Sequence, residues 1–529
     1  MNRSAPLTAA TSAAPTSASE HGTGSTPTPV TSPGAVTGPA PVRAPVRGMT
    51  PSPYRPTGLL GLSLHLTRAR FAAHEGESLL YLASVLAFVV CSALALTVAG
   101  GTWMFYNRWR HPYGILLDVY AENPNYQNLT MGYFELALVA CALLVAPMFT
   151  LASAAAVLGA RGRERRLAAL RLLGMSSSAV TRMSLIDTLV QATVGTLIGV
   201  VIYLVTLPLW SNLSMLAMPL RAAEMLLPWY LIAAVCLAVV ALGLASSWWG
   251  LRQVRISPLG VARRTTRPAL RAWRILFFVG VLGIGFLVLS SLSFGSSSGF
   301  WVFLLIAGVM LVMIEGMNIA GPWLLQQMSK LIARSPRPSV IWAARRVQAD
   351  PKTTWQRVVG IGLLSLIGGY VAVMPIQTST SQQGAIPTLE AFSRATQWDV
   401  TKGVIITLGV GFVLTATSIL ITQASAVFER AEQTVAMHKM GAPLSYNTAV
   451  MWLETLGPLV LSVALGAGLG ATMAYPGARR AQEAGVDGSS GPMVMGIVLG
   501  VGVCLAVAAL IACQPLQRQV LNRARRPND

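Results

Sequence analysis

Ten stretches of mostly apolar residues recur along the chain, near 79–103, 134–159, 185–210, 226–250, 273–293, 300–325, 358–380, 401–426, 449–474 and 490–513. Each holds the roughly 20 residues that an α-helix needs to cross the hydrocarbon core of a bilayer. Helices and closed barrels are the only structures that satisfy their backbone there. The expected fold class is therefore all-α: a polytopic membrane protein with about ten transmembrane helices. Composition agrees, since 11% of the residues are charged against about a quarter in soluble domains. The fifth and sixth runs are divided only by "SFGSSSG" (Ser293–Gly299).

Orientation follows from where the cations fall. Of 39 Lys and Arg, 32 lie in the N-terminal tail and in the connections near 160–182, 251–274, 329–357, 427–446 and 514–529, all on one side of a ten-span layout. The other side holds Arg108, Arg110, Arg221, Arg394, Lys402, Arg479 and Arg480. Cytoplasmic loops carry such an excess, so both termini are expected in the cytoplasm and the chain in the plasma membrane. The formal charge of +20 suits anionic membrane lipids; no basic domain stands apart, which argues against nucleic acid.

Residues 1–56 are rich in Pro, Ser, Thr and Ala and poor in large apolar residues, the composition of a disordered tail. No short apolar core or processing site marks a signal peptide. The five cysteines all lie inside apolar runs without metal-ligand spacing, and the five histidines are scattered, so no metal site is expected. No Gly-x-x-x-x-Gly-Lys-Ser/Thr occurs, and none of Lys330, Lys352, Lys402 and Lys439 follows a glycine; no nucleotide is bound here by that route.

The most specific local feature is "RGRERRLAALRLLGMSSSAV" (Arg161–Val180), between the second and third spans. Leu167, Leu170 and Leu173 share one helical face, with Arg163, Glu164, Arg166 and Arg171 beside them. This is the pattern of a short amphipathic helix along the inner interface, its arginine stems snorkelling and Gly174 ending it. A fainter copy runs from Glu429 to Val450. At an offset of 267, Arg163 meets Arg430, Ala169 meets Ala436, Gly174 meets Gly441, Asp187 meets Glu454, Thr188 meets Thr455 and Gly199 meets Gly466. Matching at constant offset indicates duplication, here parallel, with the basic segments on one side. Four segments result: the tail at 1–56, a first four-helix unit at 57–264, a linking helix pair at 265–335 and a second unit at 336–529.

At these residues the chain resembles the FtsX-like (MacB-type) permeases of ABC transporters, whose signature reads roughly Arg-Glu-x-Leu-Ala-x-Leu-Arg-x-Leu-Gly. The two-unit, ten-helix layout is similar to bacitracin-efflux-type and many actinobacterial permeases, without the large extracellular domain that the former carry between helices seven and eight. The resemblance implies that each short helix is a coupling element docking into a separate cytoplasmic ATPase homodimer. ATP and magnesium would be held by that partner, no cofactor by this chain, and the chain itself would not be an enzyme. Coupling residues carried over are Arg163, Glu164, Arg166, Leu167, Leu170, Arg171, Leu173 and Gly174 in the first copy and Arg430, Glu432, Met437, His438 and Gly441 in the second. The second copy places His438 where the first has Arg171, and Pro443 follows its stop glycine, so weaker or different docking is expected there. The blander account of the arginines is that they only set topology.

Three intramembrane features complete the reading. Glu315 is the deepest ionisable residue, a functional candidate by default, expected either to contact substrate or a neighbouring helix or to be bonded internally with Asn318. Asp187 and Glu454 are expected to fix the re-entry of the chain into the membrane by bonding nearby backbone or basic groups. Gly195/Gly199, Gly466/Gly470 and Gly496/Gly500 have the spacing of close helix packing. The expected function is a permease subunit that converts ATPase movement into export or extraction of an amphiphile, lipid or antimicrobial peptide. Two rivals stay open: a non-transporting regulator acting on an extracellular enzyme or sensor kinase through loops near 104–131 and 381–400, and an ion-driven carrier using Glu315.

Overall fold

A computed structural model describes residues 77–124, 126–161, 177–255, 273–291, 300–373, 387–396, 398–483 and 491–524. The N-terminal tail and the first coupling segment, including Arg163, Glu164, Arg166, Leu167, Leu170, Arg171, Leu173 and Gly174, lie outside these residues. The described chain is almost wholly helical, as expected. In order it forms α1 (Glu77–Arg110), α2 (Ile115–Glu122), α3 (Tyr126–Arg161), α4 (Ser177–Thr206), a two-stranded hairpin of β1 (Ser214–Met215) and β2 (Met218–Pro219), α5 (Ala222–Met225) and α6 (Trp229–Arg255). Then come α7 (Trp273–Ser291), α8 (Phe300–Ile332), α9 (Pro338–Ala349), α10 (Pro351–Val373), α11 (Pro387–Thr396), α12 (Asp399–Glu429), α13 (Ala431–Lys439), α14 (Leu444–Glu483) and α15 (Gly491–Ala524).

Among the described residues eight helices are long and apolar enough to cross a membrane, and they coincide with eight of the ten expected runs. The fifth and sixth runs fall on α7 and α8. Helix breaks follow local chemistry. Asp350 accepts the backbone N–H of Thr353 at 3.3 Å and its hydroxyl at 2.7 Å, capping α10, and Pro351 occupies the first helical position, where no N–H is needed.

Packing of the long helices follows largely one scheme twice, except that α4 also lies against α6 while α14 and α15 make no comparable contact among the described residues. In the first half α1 lies against α3, α4 and α6, and α3 against α6; in the second half α10 lies against α12, α14 and α15, and α12 against α15. The α1–α4 seam is a glycine seam: a Cβ on Gly195 would press on Phe88 and on the Val85 carbonyl, and one on Gly199 would meet Ser92 and the Ala93 nitrogen. On α14 a Cβ at Gly466 would overlap the Gly362 carbonyl, and one at Gly470 the Leu366 carbonyl. Gly496 and Gly500 differ from expectation. Each has nothing within 4 Å of an added Cβ, because they lie on the open side of α15, where spacing without a partner helix has no packing consequence.

The two halves meet along α3 and α12, with α1 also touching α12. A core of Leu144, Leu151, Leu158, Val410, Leu414 and Ile421 fills that contact. The linking pair packs mainly on the second half, α7 against α14 and α8 against α9 and α10, with a smaller contact between α8 and α3.

Candidate functional site

Two regions gather chemistry-bearing side chains, one at each end of α12. At the basic end, α12 runs through Arg430 into α13. Glu454, 5% exposed, projects from α14 and accepts two hydrogen bonds from Arg430, at 2.7 and 2.9 Å. Arg357 of α10 lies at 3.4 Å and Arg346 of α9 at 3.5 Å from the same carboxylate. One buried acid thereby ties together the approach to α13 and three further helices. Burial first, and the neighbouring Arg430 second, pull the Arg346 guanidinium below the ordinary arginine pKa, while Glu454 opposes them. Arg346 also stacks over Trp342 at 5.6 Å, a favourable cation–π arrangement. Next to Glu454, Thr455 accepts a hydrogen bond from the buried Gln423 of α12 at 2.8 Å. Its repeat-matched counterpart, Thr188, shares a 3.2 Å hydrogen bond with Ser247 of α6.

The end of α13 has a defined geometry. Gly441 has φ +90°, a conformation that costs glycine little. The Ala442 N–H donates to the Met437 carbonyl and the Gly441 N–H to that of His438, both at 3.0 Å, the paired bonds of a Schellman stop. Glu432, Gln433, Ala436, Lys439 and Met440 are exposed, Met440 to 78%. Met437 and His438 are half-buried. Of the second-copy residues singled out from sequence, Glu432 and Gly441 lie on the outer surface, while Arg430 turns inward to Glu454. Asp187 is buried at the matching place on α4, and its repeat-matched arginine, Arg163, is outside the described residues.

At the opposite end α2 and α11, from the loops near 104–131 and 381–400, combine with a hairpin that sequence did not reveal into a small cap. Arg108, near the end of α1, is fully buried. It pairs with Glu224 of α5 at 2.7 Å and donates to the carbonyls of Met215 at 2.5 Å and Pro219 at 3.1 Å. The hairpin is thereby anchored to the first half. Its turn residues, Leu216 and Ala217, have φ of 54° and 60°, a left-handed conformation that is sterically costly for a side-chain-bearing residue. The second half grips that turn. Asp399, the first residue of α12 and 2% exposed, accepts the Leu216 N–H at 2.6 Å and Lys402 at 2.9 Å; Lys402 also donates to the Ser214 carbonyl at 2.9 Å. Leu216 is buried with Leu116, Val119, Leu389 and Phe392 of α2 and α11.

Beneath the cap lies a cavity of about 340 Å³ between the halves. Its walls come from α1, α3, α10 and α12, and its upper boundary from Met215, Leu220, Met225 and Asp399. The lining is apolar except for a few groups such as Thr102, Tyr133, Tyr370 and Thr407. This volume lies at the small end of ligand pockets, and its character is theirs. Glu315 does not line it; that residue is exposed on α8, and the internal bond to Asn318 weighed from sequence is not formed, because Glu315 faces away from the bundle. Among the described residues no cluster of His, Cys, Asp or Glu could hold a metal.

Sequence reasoning anticipated an acid bonded to basic groups at Glu454, but not which arginines reach it, since Arg346 and Arg357 come from helices about a hundred positions away. Arg108 read as an ordinary loop cation. Its signal was an arginine at the outer end of the first span and a single acid, Glu224, in the loop after the third span of an acid-poor chain.

None of the curated proteins matches this chain. Residues 136–259 match the family model described as FtsX-like permease C-terminal, a stretch that runs from α3 through the first coupling segment, α4 and the hairpin to the end of α6. The match supports the FtsX-like permease family for this chain.

Proposed function

We propose that this ABC-transporter-type permease subunit works by mechanical transmission: α13 and its first-half counterpart dock on a cytoplasmic ATPase homodimer, and α12 carries the displacement to the capped cavity. The observation that supports this reading is the continuity of α12. Its 31 residues span about 46 Å at 1.5 Å per residue. One end is tied through Arg430 to Glu454 beside α13, and the other closes the cavity through Asp399. A rigid helix fixed at both ends transmits a tilt instead of absorbing it.

The cargo proposed is an amphiphile whose apolar tail enters the cavity from the outer leaflet, because the lining is apolar and the volume suits one chain better than a folded peptide. The plasma membrane is the proposed location, with the basic end in the cytoplasm beside anionic lipids and ATP with magnesium held by the ATPase. Purified chain reconstituted with its ATPase tests the reading. Cysteines at Leu216 and Leu389, joined by a disulfide, should stop substrate-stimulated ATP turnover, and reduction should restore it. Undiminished stimulation in the locked form would exclude movement of the cap.

A regulatory role is the second reading, favoured by the folded cap, which offers an external surface built from α2, the hairpin and α11. Removal of α11 that leaves transport intact while abolishing a signalling output would favour it. The carrier reading is not proposed, since Glu315 is remote from the cavity.

A further inference from the structure

α8 presents an unusual outer face. Its 33 residues carry one charge, Glu315, before Lys330, and Glu315 lies fifteen residues from Phe300 and fifteen from Lys330, about 22 Å each way along the helix. The buried side of α8 is Met313, Ile314, Met317 and Ala320. There an added Cβ on Gly316 would press on Phe278 of α7, and one on Gly321 on Trp355 of α10. Glu315 points the other way, on a stripe with Val312, which is 54% exposed, and the half-exposed Ile319. It is exposed, and among the described residues it has no hydrogen-bond or ion-pair partner. Asn318, one turn on, does not reach it.

The depth is fixed by neighbours. Met317 packs against Gly362, midway along α10, and Arg357 of the Glu454 cluster lies five residues, about 7.5 Å, closer to the basic end. Glu315 is therefore inside the apolar layer, where an ionisable side chain facing lipid is costly and normally pairs with another membrane-embedded group.

We infer that the Val312–Glu315–Ile319 face of α8 is a docking surface for the transmembrane helix of a different membrane protein, one that carries a Lys or Arg at the depth of Glu315. Charge complementarity selects this occupant. A second copy of this chain does not supply it, because among the described residues no exposed Lys or Arg lies at that depth. Polar contacts of this kind hold transmembrane helices together where apolar packing alone does not discriminate. Helix α8 suits the role, since it belongs to the linking pair and lies outside the α3–α12 contact between the halves, so a partner here need not obstruct the cavity. The inference is independent of the transport reading.

The test uses the full chain in phosphatidylcholine vesicles and a synthetic single-span peptide, polyleucine with one central Lys, alongside its all-leucine control. Energy transfer between labelled peptide and labelled chain should show the Lys peptide binding at least tenfold more tightly than the control, with the advantage lost in Glu315→Gln. Equal binding of the two peptides, or an advantage that survives Glu315→Gln, overturns the inference. A photocrosslinking residue at Val312, in native membranes, provides the second arm. An adduct mapped to a transmembrane segment bearing Lys or Arg, and lost in Glu315→Gln, supports the inference; adducts with lipid alone or with a second copy of the chain overturn it. Elution of Glu315→Gln at the wild-type position in size exclusion separates loss of binding from loss of fold.

Discussion

Glu454→Gln should loosen α13 without unfolding the bundle. The wild-type carboxylate is 5% exposed and contacts three arginines whose side chains keep 20 to 30% exposure. Removing one partner of a fully buried ion pair costs about 3–5 kcal/mol; solvent access to the arginines reduces this, and about 2 kcal/mol is expected. That corresponds to roughly a 30-fold rise in local opening, at 1.36 kcal/mol per tenfold. Hydrogen exchange reads it directly: amides of 431–441 should exchange roughly 30-fold faster, while those flanking Gly362 and Gly466 on the α10–α14 seam keep their rates. Arg430→Gln should have a similar effect, and the double variant should lose less than the sum of the two. Unchanged exchange at 431–441 in Glu454→Gln would refute the role assigned to the cluster. Uniformly faster exchange would show instead that Glu454 supports the whole second half.

Three further outcomes are expected. Gly466→Val should lower the melting temperature in detergent, since the added atoms have no room against the Gly362 carbonyl, whereas Gly500→Ala should leave it unchanged. Ala217→Gly should stabilise the cap by about 1 kcal/mol, because φ 60° is strained for alanine and not for glycine; slower disulfide trapping of an opened cap would record it, and a faster rate would contradict the strain. Tyr113 donates to Glu224, and burial, with that carboxylate second, raises its pKa above the usual tyrosine value. A group raised on folding stabilises the native state fully below its unfolded pKa and loses that contribution as pH climbs through the folded one. Cap stability should therefore fall above about pH 10, less steeply in Tyr113→Phe, as followed by tryptophan fluorescence across an alkaline titration.

The helices were legible because a bilayer imposes a length and a polarity that the sequence must meet residue by residue. The repeat expected from sequence rests on positions with a strict steric or electrostatic duty: Gly199 and Gly466 each sit against a neighbouring backbone, and Glu454 holds Arg430. Gly496 and Gly500 show the limit of spacing, since nothing local says whether a helix faces them. The hairpin was opaque for a physical reason. Its turn uses Leu216 and Ala217 where glycine or asparagine would be the usual signal, and the conformation is held from outside, by Asp399 some 180 positions later. Arg108 was hidden in the same way, because two of its partners are backbone carbonyls that no side-chain pattern records and the third, Glu224, lies 116 positions away.

The linking pair leaves the two halves mechanically unequal. Helices α7 and α8 brace α14 and α10, whereas on the first half α4 carries Leu197, Val201 and Val205 at 63, 59 and 69% exposure. A symmetric motor pulling on both halves would meet ballast on one side and little on the other. Its stroke would emerge as a swing of the first half about a nearly stationary second.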